Sequence, residues 1–593
     1  MAGPPKSAAA FQQAVAIYRQ GRLDEAEALC RKTLKADANH APALHMLGII
    51  QLRTAKPAGA VEAFGRLMKL QPASPDVLNN RAMALSELGR NEEALADLDK
   101  ALALKPDYRE ALNNRAGLLF ALRRFAEAAQ SYARLLAVAP EPKLLGCLVR
   151  ARLSACDWTD IDRLSAEIAE RVARGEPADE PMSFLWHSTS ASLQRKLAED
   201  YTRRRYPQRP LPLAARKPEG RIRLAYFSSD FRDHPMPYMY ANLFERHDRA
   251  RFEVMAISYG QDDKSAVRAR MEKAFDRFLD ISALSDAEAT QLVRRAEVDL
   301  LVDLSGYTAG NRTSILAHRP APLQVNLQGF GLGAPFMDYV LSDAETVPDS
   351  LREAMYREKV VRLPDTWVAT DTAQPIAEAT PSRADEGLPG EGFVFCCFNT
   401  HYKITPAVFD VWMRLLKAVE GSVLWLRHDT DDTRANLTRA AGQRGVAADR
   451  LVFARRVDLA DHLARHRLAG LFLDTFPVGA QTTASHALWA GLPVLTIRGE
   501  TFVSRTSASI LHAAGLPELA VDSLEDYEAL ALSLARDPPR LAALRQKLAD
   551  RRTTAPLFDS ERYRRHLEQA YLQMIERHRR GEPPASFDVA PLS

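Results

Sequence analysis

Prolines and alanines recur at a constant spacing of 34 residues along the first quarter of the chain. The positions are Pro72, Pro106 and Pro140, together with Ala26, Ala60, Ala94 and Ala128. A 34-residue period is typical of tetratricopeptide repeats, in which stacked helix–turn–helix units form a superhelix with a concave binding surface. The spacing therefore predicts an α-solenoid of four repeats over residues 7–140.

The residue types within each repeat agree with that fold. The alanines fall where the two helices of a unit cross, and a small side chain there lets the backbones approach. Four residues later stand the larger side chains that fill the space between helices: Cys30, Phe64, Leu98 and Tyr132. Each proline ends the second helix of its unit because it cannot continue an α-helix. The first repeat has Ala38 in place of the proline.

Two asparagines suggest how the array binds a partner. Asn80 and Asn114 lie one period apart on first helices of their repeats. A row of asparagines along the groove can hydrogen-bond the backbone of an extended peptide without reading its sequence. Two exposed asparagines are equally compatible with simple solvation, and Met46 breaks the row in the second repeat. The array predicts a protein partner, with capture of an acceptor and dimerisation both open.

Composition excludes several classes of function. Lys and Arg number 79 and Asp and Glu 76, for a net charge of +3, which gives no basic footprint for nucleic acid. No apolar run reaches the 18 or so residues of a membrane span. The first ten residues lack the pattern of a secretory signal. Five cysteines without zinc spacing favour reduced thiols, so we expect a cytoplasmic protein.

The remainder of the chain predicts an α/β enzyme. Residues 141–215 read as a helical bridge ending in a proline-rich connector, Arg205–Pro212, with a domain boundary near 215. Beyond it, short apolar runs alternate with helical stretches, the rhythm of doubly wound parallel sheets. We expect a first lobe over 216–375, a link over 370–390, a second lobe over 390–580 and a flexible tail over 581–593. Predicted strands are 222–227, 252–257, 298–304, 393–398, 422–426, 451–453, 471–474 and 494–497.

Polar residues with useful chemistry follow three of these strands. His234 follows the first and suits a general base or a polar contact to substrate. Lys403 follows the first strand of the second lobe and can offset the charge of a departing phosphate. Thr482 and Thr483 begin a helix, where hydroxyls and free N–H groups can bind an anion. Each residue alone is compatible with a surface role, but together they predict a phosphate-bearing donor in a cleft between the lobes.

A family resemblance covers nearly the whole chain, with its motifs in colinear order. The sequence resembles the O-GlcNAc transferase and SPINDLY family in the following segments: 227–235, 303–308, 319–322, 337–339, 402–403, 422–426, 474–477, 482–483, 488–493 and 499–505. The resemblance implies a GT-B fold with two Rossmann-like lobes. It further implies inverting transfer of a sugar from a nucleotide sugar to Ser or Thr of proteins, without a metal or other cofactor.

The same resemblance assigns site residues. Lys403 would contact the donor diphosphate, and Thr482 and Thr483 would bind its phosphates. His462 matches the histidine that stacks on the base, and Arg465 the arginine one helical turn later. His234 matches a histidine near the acceptor. The run 429–431 is similar to a metal-binding Asp-x-Asp motif, but its polar flanks indicate a solvated turn.

Four departures from the family pattern affect the donor pocket. Leu459 replaces a lysine, Gln481 a histidine before the two threonines, and His486 the aspartate that holds the ribose; the loop 329–334 also differs. Gln481 and His486 are still expected to contact the donor. The short array is similar to that of bacterial members, including flagellin glycosyltransferases that use a CMP-nonulosonic acid. UDP-GlcNAc and a CMP donor therefore both stay open, as does a non-catalytic scaffold.

Overall fold

The computed structural model describes residues 6–72, 74–210 and 220–592. The chain divides into two compact units, Met1–Arg152 and Leu153–Ser593. The boundary expected near 215, and residues 211 and 212 of the connector, lie outside the described residues.

The first unit is a series of helices in pairs. Each predicted proline stands two residues beyond the end of a second helix, as expected for a residue that cannot continue it. The pairs are α1 (Lys6–Arg19) with α2 (Leu23–Ala36), α3 (Ala41–Arg53) with α4 (Pro57–Leu70), α5 (Pro75–Glu87) with α6 (Asn91–Leu104), and α7 (Arg109–Ala121) with α8 (Phe125–Val138).

Burial in the array confirms the predicted helix crossings. The four periodic alanines, Ala26, Ala60, Ala94 and Ala128, are each 0% exposed. The four larger side chains that follow them, Cys30, Phe64, Leu98 and Tyr132, are buried as well. The repeat period therefore fixes both the helix pairs and the residues packed between them.

Four more helices follow the array: α9 (Lys143–Ala155), α10 (Ile161–Ala173), α11 (Pro181–Phe184) and α12 (Ala191–Arg205). We call residues 153–190 the bridge.

The first α/β lobe has a parallel sheet buried on both faces. Its strands are β1 (Ile222–Ser228), β2 (Phe252–Ser258), β3 (Arg277–Asp280), β4 (Leu300–Asp303), β5 (Leu323–Asn326), β6 (Tyr339–Asp343) and β7 (Lys359–Leu363). The helices between them are α13 (Pro237–Arg246), α14 (Ala266–Ala274), α15 (Asp286–Arg295), α16 (Thr313–Ala317) and α17 (Arg352–Met355). The order 7-6-5-4-1-2-3 reverses between β1 and β4, which makes a topological switch point there.

The second lobe repeats this design. Its strands are β8 (Val394–Cys397), β9 (Val423–Arg427), β10 (Leu451–Ala454), β11 (Leu471–Leu473), β12 (Val494–Ile497) and β13 (Ala520–Val521). The helices are α18 (Pro406–Ala418), α19 (Asp431–Gln443), α20 (Leu459–Arg465), α21 (Thr482–Trp489), α22 (Phe502–Ala514), α23 (Leu524–Arg536) and α24 (Pro538–Arg551). The order 10-9-8-11-12-13 is parallel throughout and reverses between β8 and β11. Two such lobes confirm the predicted fold class.

The end of the chain returns to the first lobe. Helix α25 (Ser560–Arg579) packs on the first sheet, where the Tyr571 and Tyr226 hydroxyls are 3.3 Å apart. Glu568 Oε1 lies 2.8 Å from His247 Nδ1 on the same face. The tail expected to be flexible contains β14 (Phe587–Asp588), which pairs in parallel with β7. Beside this pairing, Arg362 and Asp588 form an ion pair.

Among the described residues, no helix combines the length and the apolar character needed to cross a membrane.

Candidate active site

The candidate residues of the second lobe meet at its switch point. Lys403 follows β8, and Thr482 and Thr483 follow β11, the strand beside it. Because parallel strands end at the same edge of a sheet, these groups lie together at the place where open α/β sheets bind ligands. His234 follows β1 at the corresponding edge of the first lobe.

Lys403 ends a short 3₁₀ turn, His401–Lys403, that follows β8. Its ammonium donates to the carbonyl oxygen of Gly479, 2.8 Å away, in the loop after β11. Burial lowers the pKa of Lys403, and the nearby Asp474 carboxylate acts in the opposite direction. The contact therefore places a cation next to the helix start that carries the threonines.

Asn399 and Asp474 hold this arrangement, and neither was chosen as a site residue from the sequence. Asn399 Nδ2 donates to Asp474 Oδ1 at 2.9 Å and to Thr475 Oγ1 at 2.8 Å. Asp474 also accepts the backbone N–H groups of Thr475 and Ala480. The available signal was a polar residue within two positions of the end of each of two buried strands.

The first turn of α21 is open to an anion. Gln481 stands at its N-cap position without a capping side-chain hydrogen bond, and an uncapped helix start leaves backbone N–H groups available. The Thr483 hydroxyl donates to Asn399 Oδ1. The Thr482 hydroxyl donates to Met239 Sδ, 3.0 Å away on the first lobe. The threonines therefore lie near Lys403 and where the two lobes meet.

Arg465 lies behind His462. Its Nη2 and Nε contact His462 Nδ1 at 2.7 and 3.1 Å, and its Nη1 lies 3.5 Å from Glu386 Oε2. Only 4% of Arg465 is exposed. Burial first, then the neighbouring His466 and Arg465, lower the pKa of His462 well below its ordinary value. In this structure Arg465 orients a neutral His462, whose ring packs against Phe398 with centroids 5.2 Å apart.

His486 lies one turn into α21 and faces the first lobe. Its ring is edge-on to Tyr238 of α13, with centroids 6.4 Å apart. Burial lowers its pKa to about 4, so the ring is neutral near pH 7. Within the described part of the chain, its buried Nε2 has no hydrogen-bond partner.

His234 lies at the end of the loop after β1. Its Nδ1 accepts the Met236 backbone N–H at 3.3 Å and stands 3.8 Å from Asp230 Oδ2. Burial lowers its pKa, although Asp230 raises it. With Nδ1 accepting, the proton of the neutral ring is on Nε2, and 39% of the side chain is exposed.

The loop that departs from the family pattern requires glycine at its start. Gly329 has φ +73, and a Cβ there would lie 2.0 Å from Phe502 Cζ. Tyr356 donates its hydroxyl to the Gly329 carbonyl at 2.6 Å. The loop therefore approaches the first turn of α22 more closely than another residue would permit.

The other candidate residues have local partners. Thr430 of the Asp-x-Asp run caps α19 in a reciprocal capping box with Thr433, a helix start in place of the expected turn. In the array, Asn114 Nδ2 donates to Asn79 Oδ1 at 2.8 Å. Asn80 is half-buried. The inter-repeat bond of Asn114 uses one of the donors expected to face a peptide.

Comparison with known proteins agrees with this architecture. A model described as Glycosyl transferase family 41 matches residues 205–381 and 369–567. Tetratricopeptide repeat models match residues 2–41 and 75–108. The chain belongs to glycosyl transferase family 41. The resemblance to the O-GlcNAc transferase and SPINDLY family is confirmed.

Named relatives match most of this chain. The Arabidopsis thaliana protein named probable UDP-N-acetylglucosamine–peptide N-acetylglucosaminyltransferase SEC is 32% identical, over 73% of this chain and 47% of its own. A Petunia hybrida SPINDLY protein is 30% identical, over 63% of this chain and 40% of its own. The chain thus spans about half the length of these relatives. The solved O-GlcNAc transferase of Thermobaculum terrenum is 29% identical, with TM-score 0.60, and covers 96% of this chain and 98% of that one.

Proposed function

We propose that this member of glycosyl transferase family 41 is an inverting protein O-glycosyltransferase. The observation that carries the proposal is the Lys403 ammonium beside the uncapped start of α21, at the switch point of the second lobe. A cation and a helix N-terminus together stabilise the charge that develops on a departing nucleotide diphosphate. The relatives named as UDP-N-acetylglucosamine–peptide transferases make UDP-GlcNAc the first donor to test.

In this reaction a Ser or Thr hydroxyl of the acceptor attacks the anomeric carbon as its bond to the phosphate oxygen breaks. Lys403 and the first turn of α21 receive the negative charge of the leaving nucleotide. His462, held by Arg465, offers a neutral ring to the base. His234 donates from Nε2 to the acceptor or sugar, because its Nδ1 accepts from the backbone. The hydroxyl proton leaves to a donor phosphate oxygen or to water, and no metal is required.

The repeats would supply the acceptor. Their period and burial pattern fit a stack that holds an extended peptide. A flagellin substrate and a cytoplasmic location belong to this proposal as expectations for a bacterial member with a short array.

A CMP-nonulosonic acid is the second candidate donor. The observation that favours it is His486, a neutral ring with a free buried Nε2 where a ribose-binding carboxylate is expected in the family. Gln481 and Leu459 also alter the donor pocket. A pocket without that carboxylate repels an anionic sugar less.

Intact-mass measurement of acceptor proteins, flagellin among them, with either donor tests these alternatives. A mass increment only with UDP-GlcNAc supports the first, and one only with the CMP donor supports the second. A non-catalytic scaffold would give no increment and no thermal stabilisation by UDP or CMP, whereas an enzyme is stabilised by the nucleotide it binds.

A further inference from the structure

The bridge, residues 153–190, contacts the 3₁₀ turn that carries Lys403. Four residues, 401 to 404, make up this turn and its end. The bridge contacts three of them, His401, Tyr402 and Ile404, and the fourth is Lys403 itself.

Two of these contacts are made to backbone carbonyl groups of the turn. The indole Nε1–H of Trp158 donates to the carbonyl oxygen of Ile404 at 3.2 Å. The Cys156 thiol lies 3.7 Å from the carbonyl oxygen of His401, a normal distance for a sulfur donor. The His401 ring itself is buried.

The third contact is an aromatic stack. The Trp186 and Tyr402 rings are nearly parallel, with 18° between their planes and centroids 3.8 Å apart. Asp179 fixes the segment that presents Trp186, because it accepts from the Ser183 hydroxyl and lies 2.9 Å from Nε2 of His187. A rigid support on one side of Tyr402 limits the positions that the next residue, Lys403, can adopt.

We infer that Trp158 and Trp186 are positioning residues for Lys403. They set the turn so that the ammonium reaches Gly479 and the start of α21, while neither is placed to touch the donor. The inference rests on the proposed role of Lys403 in leaving-group departure. It adds that the bridge is part of the catalytic apparatus and not only a spacer before the first lobe.

Single variants give the first test, with UDP-GlcNAc hydrolysis as the turnover assay and UDP calorimetry as the binding assay. Trp186→Ala removes the stack and is expected to lower kcat about tenfold or more, since small misplacements of a catalytic group are costly. UDP affinity should fall by a smaller factor than kcat, because the contacts of Thr482, Thr483 and His462 with the nucleotide remain. Trp186→Phe keeps an aromatic face and should recover most of the rate. Trp158→Phe keeps an aromatic ring but loses the N–H donor, and its kcat should lie between those of Trp186→Ala and Trp186→Phe.

Tyr206→Leu is the matched control. Tyr206 also stacks in parallel on a tyrosine of the first lobe, Tyr307, at 6.2 Å, and among the described residues it makes no hydrogen bond or ring contact with residues 401–404. The Tyr206→Leu variant should lose about as much thermal stability as Trp186→Ala and keep the kcat of the parent protein. Equal losses of kcat in Tyr206→Leu and Trp186→Ala would show a general structural effect and overturn the inference.

A double-mutant cycle with Lys403→Ala is decisive. If Trp186 acts through Lys403, the double variant hydrolyses UDP-GlcNAc at the rate of Lys403→Ala alone. Multiplicative losses would contradict positioning, and so would full activity of Trp186→Ala beside an impaired Lys403→Ala. Normal hydrolysis by Lys403→Ala would instead overturn the proposed role of Lys403, and the inference with it.

Discussion

The ammonium of Lys403 and the carbonyl oxygen of Gly479 are joined by a 2.8 Å hydrogen bond that spans the ends of β8 and β11. This carbonyl holds the lysine beside the start of α21. A phosphate arriving there offers the ammonium a charged acceptor in place of a neutral one, and charge-assisted hydrogen bonds are the stronger kind.

Replacing Lys403 with alanine should therefore lower kcat by about 10²- to 10³-fold, the effect typical of removing one donor that stabilises transition-state charge. The melting temperature should stay close to that of the parent protein, because the side chain makes one hydrogen bond. The rate at which UDP is released from UDP-GlcNAc checks the expected kcat, and thermal unfolding checks the expected melting temperature. Undiminished turnover would refute the assignment.

The pH dependence of turnover should reflect the same lysine. Burial lowers its pKa, so the proton is lost at a lower pH than the ~10.4 of an exposed lysine. Loss of the proton removes the cation, and kcat/KM, which reports the free enzyme, should decline on the alkaline side before that value. Lys403→Arg, which stays charged, should lack this decline even at a lower overall rate. If the parent protein and Lys403→Arg lose activity over the same alkaline pH range, the titrating group is not Lys403.

Thr483→Val should weaken nucleotide binding more than Thr483→Ser. Valine keeps the shape of the side chain but loses the hydroxyl that bonds to Asn399, whereas serine retains it. When a donor phosphate is bound, the Thr483 hydroxyl can turn its one proton from Asn399 to a phosphate oxygen, and loss of a hydrogen bond to such a charged group corresponds to about 1.5–3 kcal/mol, or at least tenfold in Kd. Calorimetry with UDP measures the difference. Equal affinities for the two variants would exclude the hydroxyl from the site.

In the array, Asn80→Ala combined with Asn114→Ala should reduce modification of a protein acceptor while donor hydrolysis is unchanged. Both residues lie on first helices of their repeats, in a different unit of the chain from the candidate nucleotide site. Asn113→Ala is the control, because Asn113 is exposed and neighbours Asn114 on the same helix. Acceptor labelling by intact mass, compared with nucleotide release, separates the two activities. A parallel loss of both would argue against a role confined to capture.

Ala94→Leu should lower the free energy of unfolding by about 1–3 kcal/mol, the usual result of overpacking a filled core. Ala94 is 0% exposed where two helices cross. Ala96→Leu, at an exposed position of the same helix, should have little effect. Urea unfolding of both variants tests the comparison, and equal stabilities would mean that the crossing can accommodate a larger residue.

Much of this architecture could be predicted from local sequence pattern. A 34-residue period and long apolar strands such as β1 and β2 leave clear signals, because each depends on residues close together in the chain. The edge strand β3 does not, since its side chains are exposed or half-buried and carry no apolar run. The two-residue strands β13 and β14 are too short for any periodicity.

In the candidate site, too, some placements follow from local sequence pattern and others do not. The placement of Lys403, Thr482 and Thr483 could be predicted because strand ends of a parallel sheet meet at one edge. The burial of Arg465 behind His462 could not, because it depends on Glu386, a residue distant in sequence. The stack of Trp186 on Tyr402 likewise joins segments that share no local pattern. Such contacts are set by tertiary packing alone.

The return of α25 to the first lobe has a consequence for motion within the catalytic unit. The polypeptide crosses between the lobes twice, once after β7 and once before α25. The Tyr226–Tyr571 and His247–Glu568 contacts hold α25 on the first lobe after the second crossing. We expect opening for substrate entry to be a hinge rotation about these two crossings. Nicking the chain within residues 370–390 would leave both fragments associated.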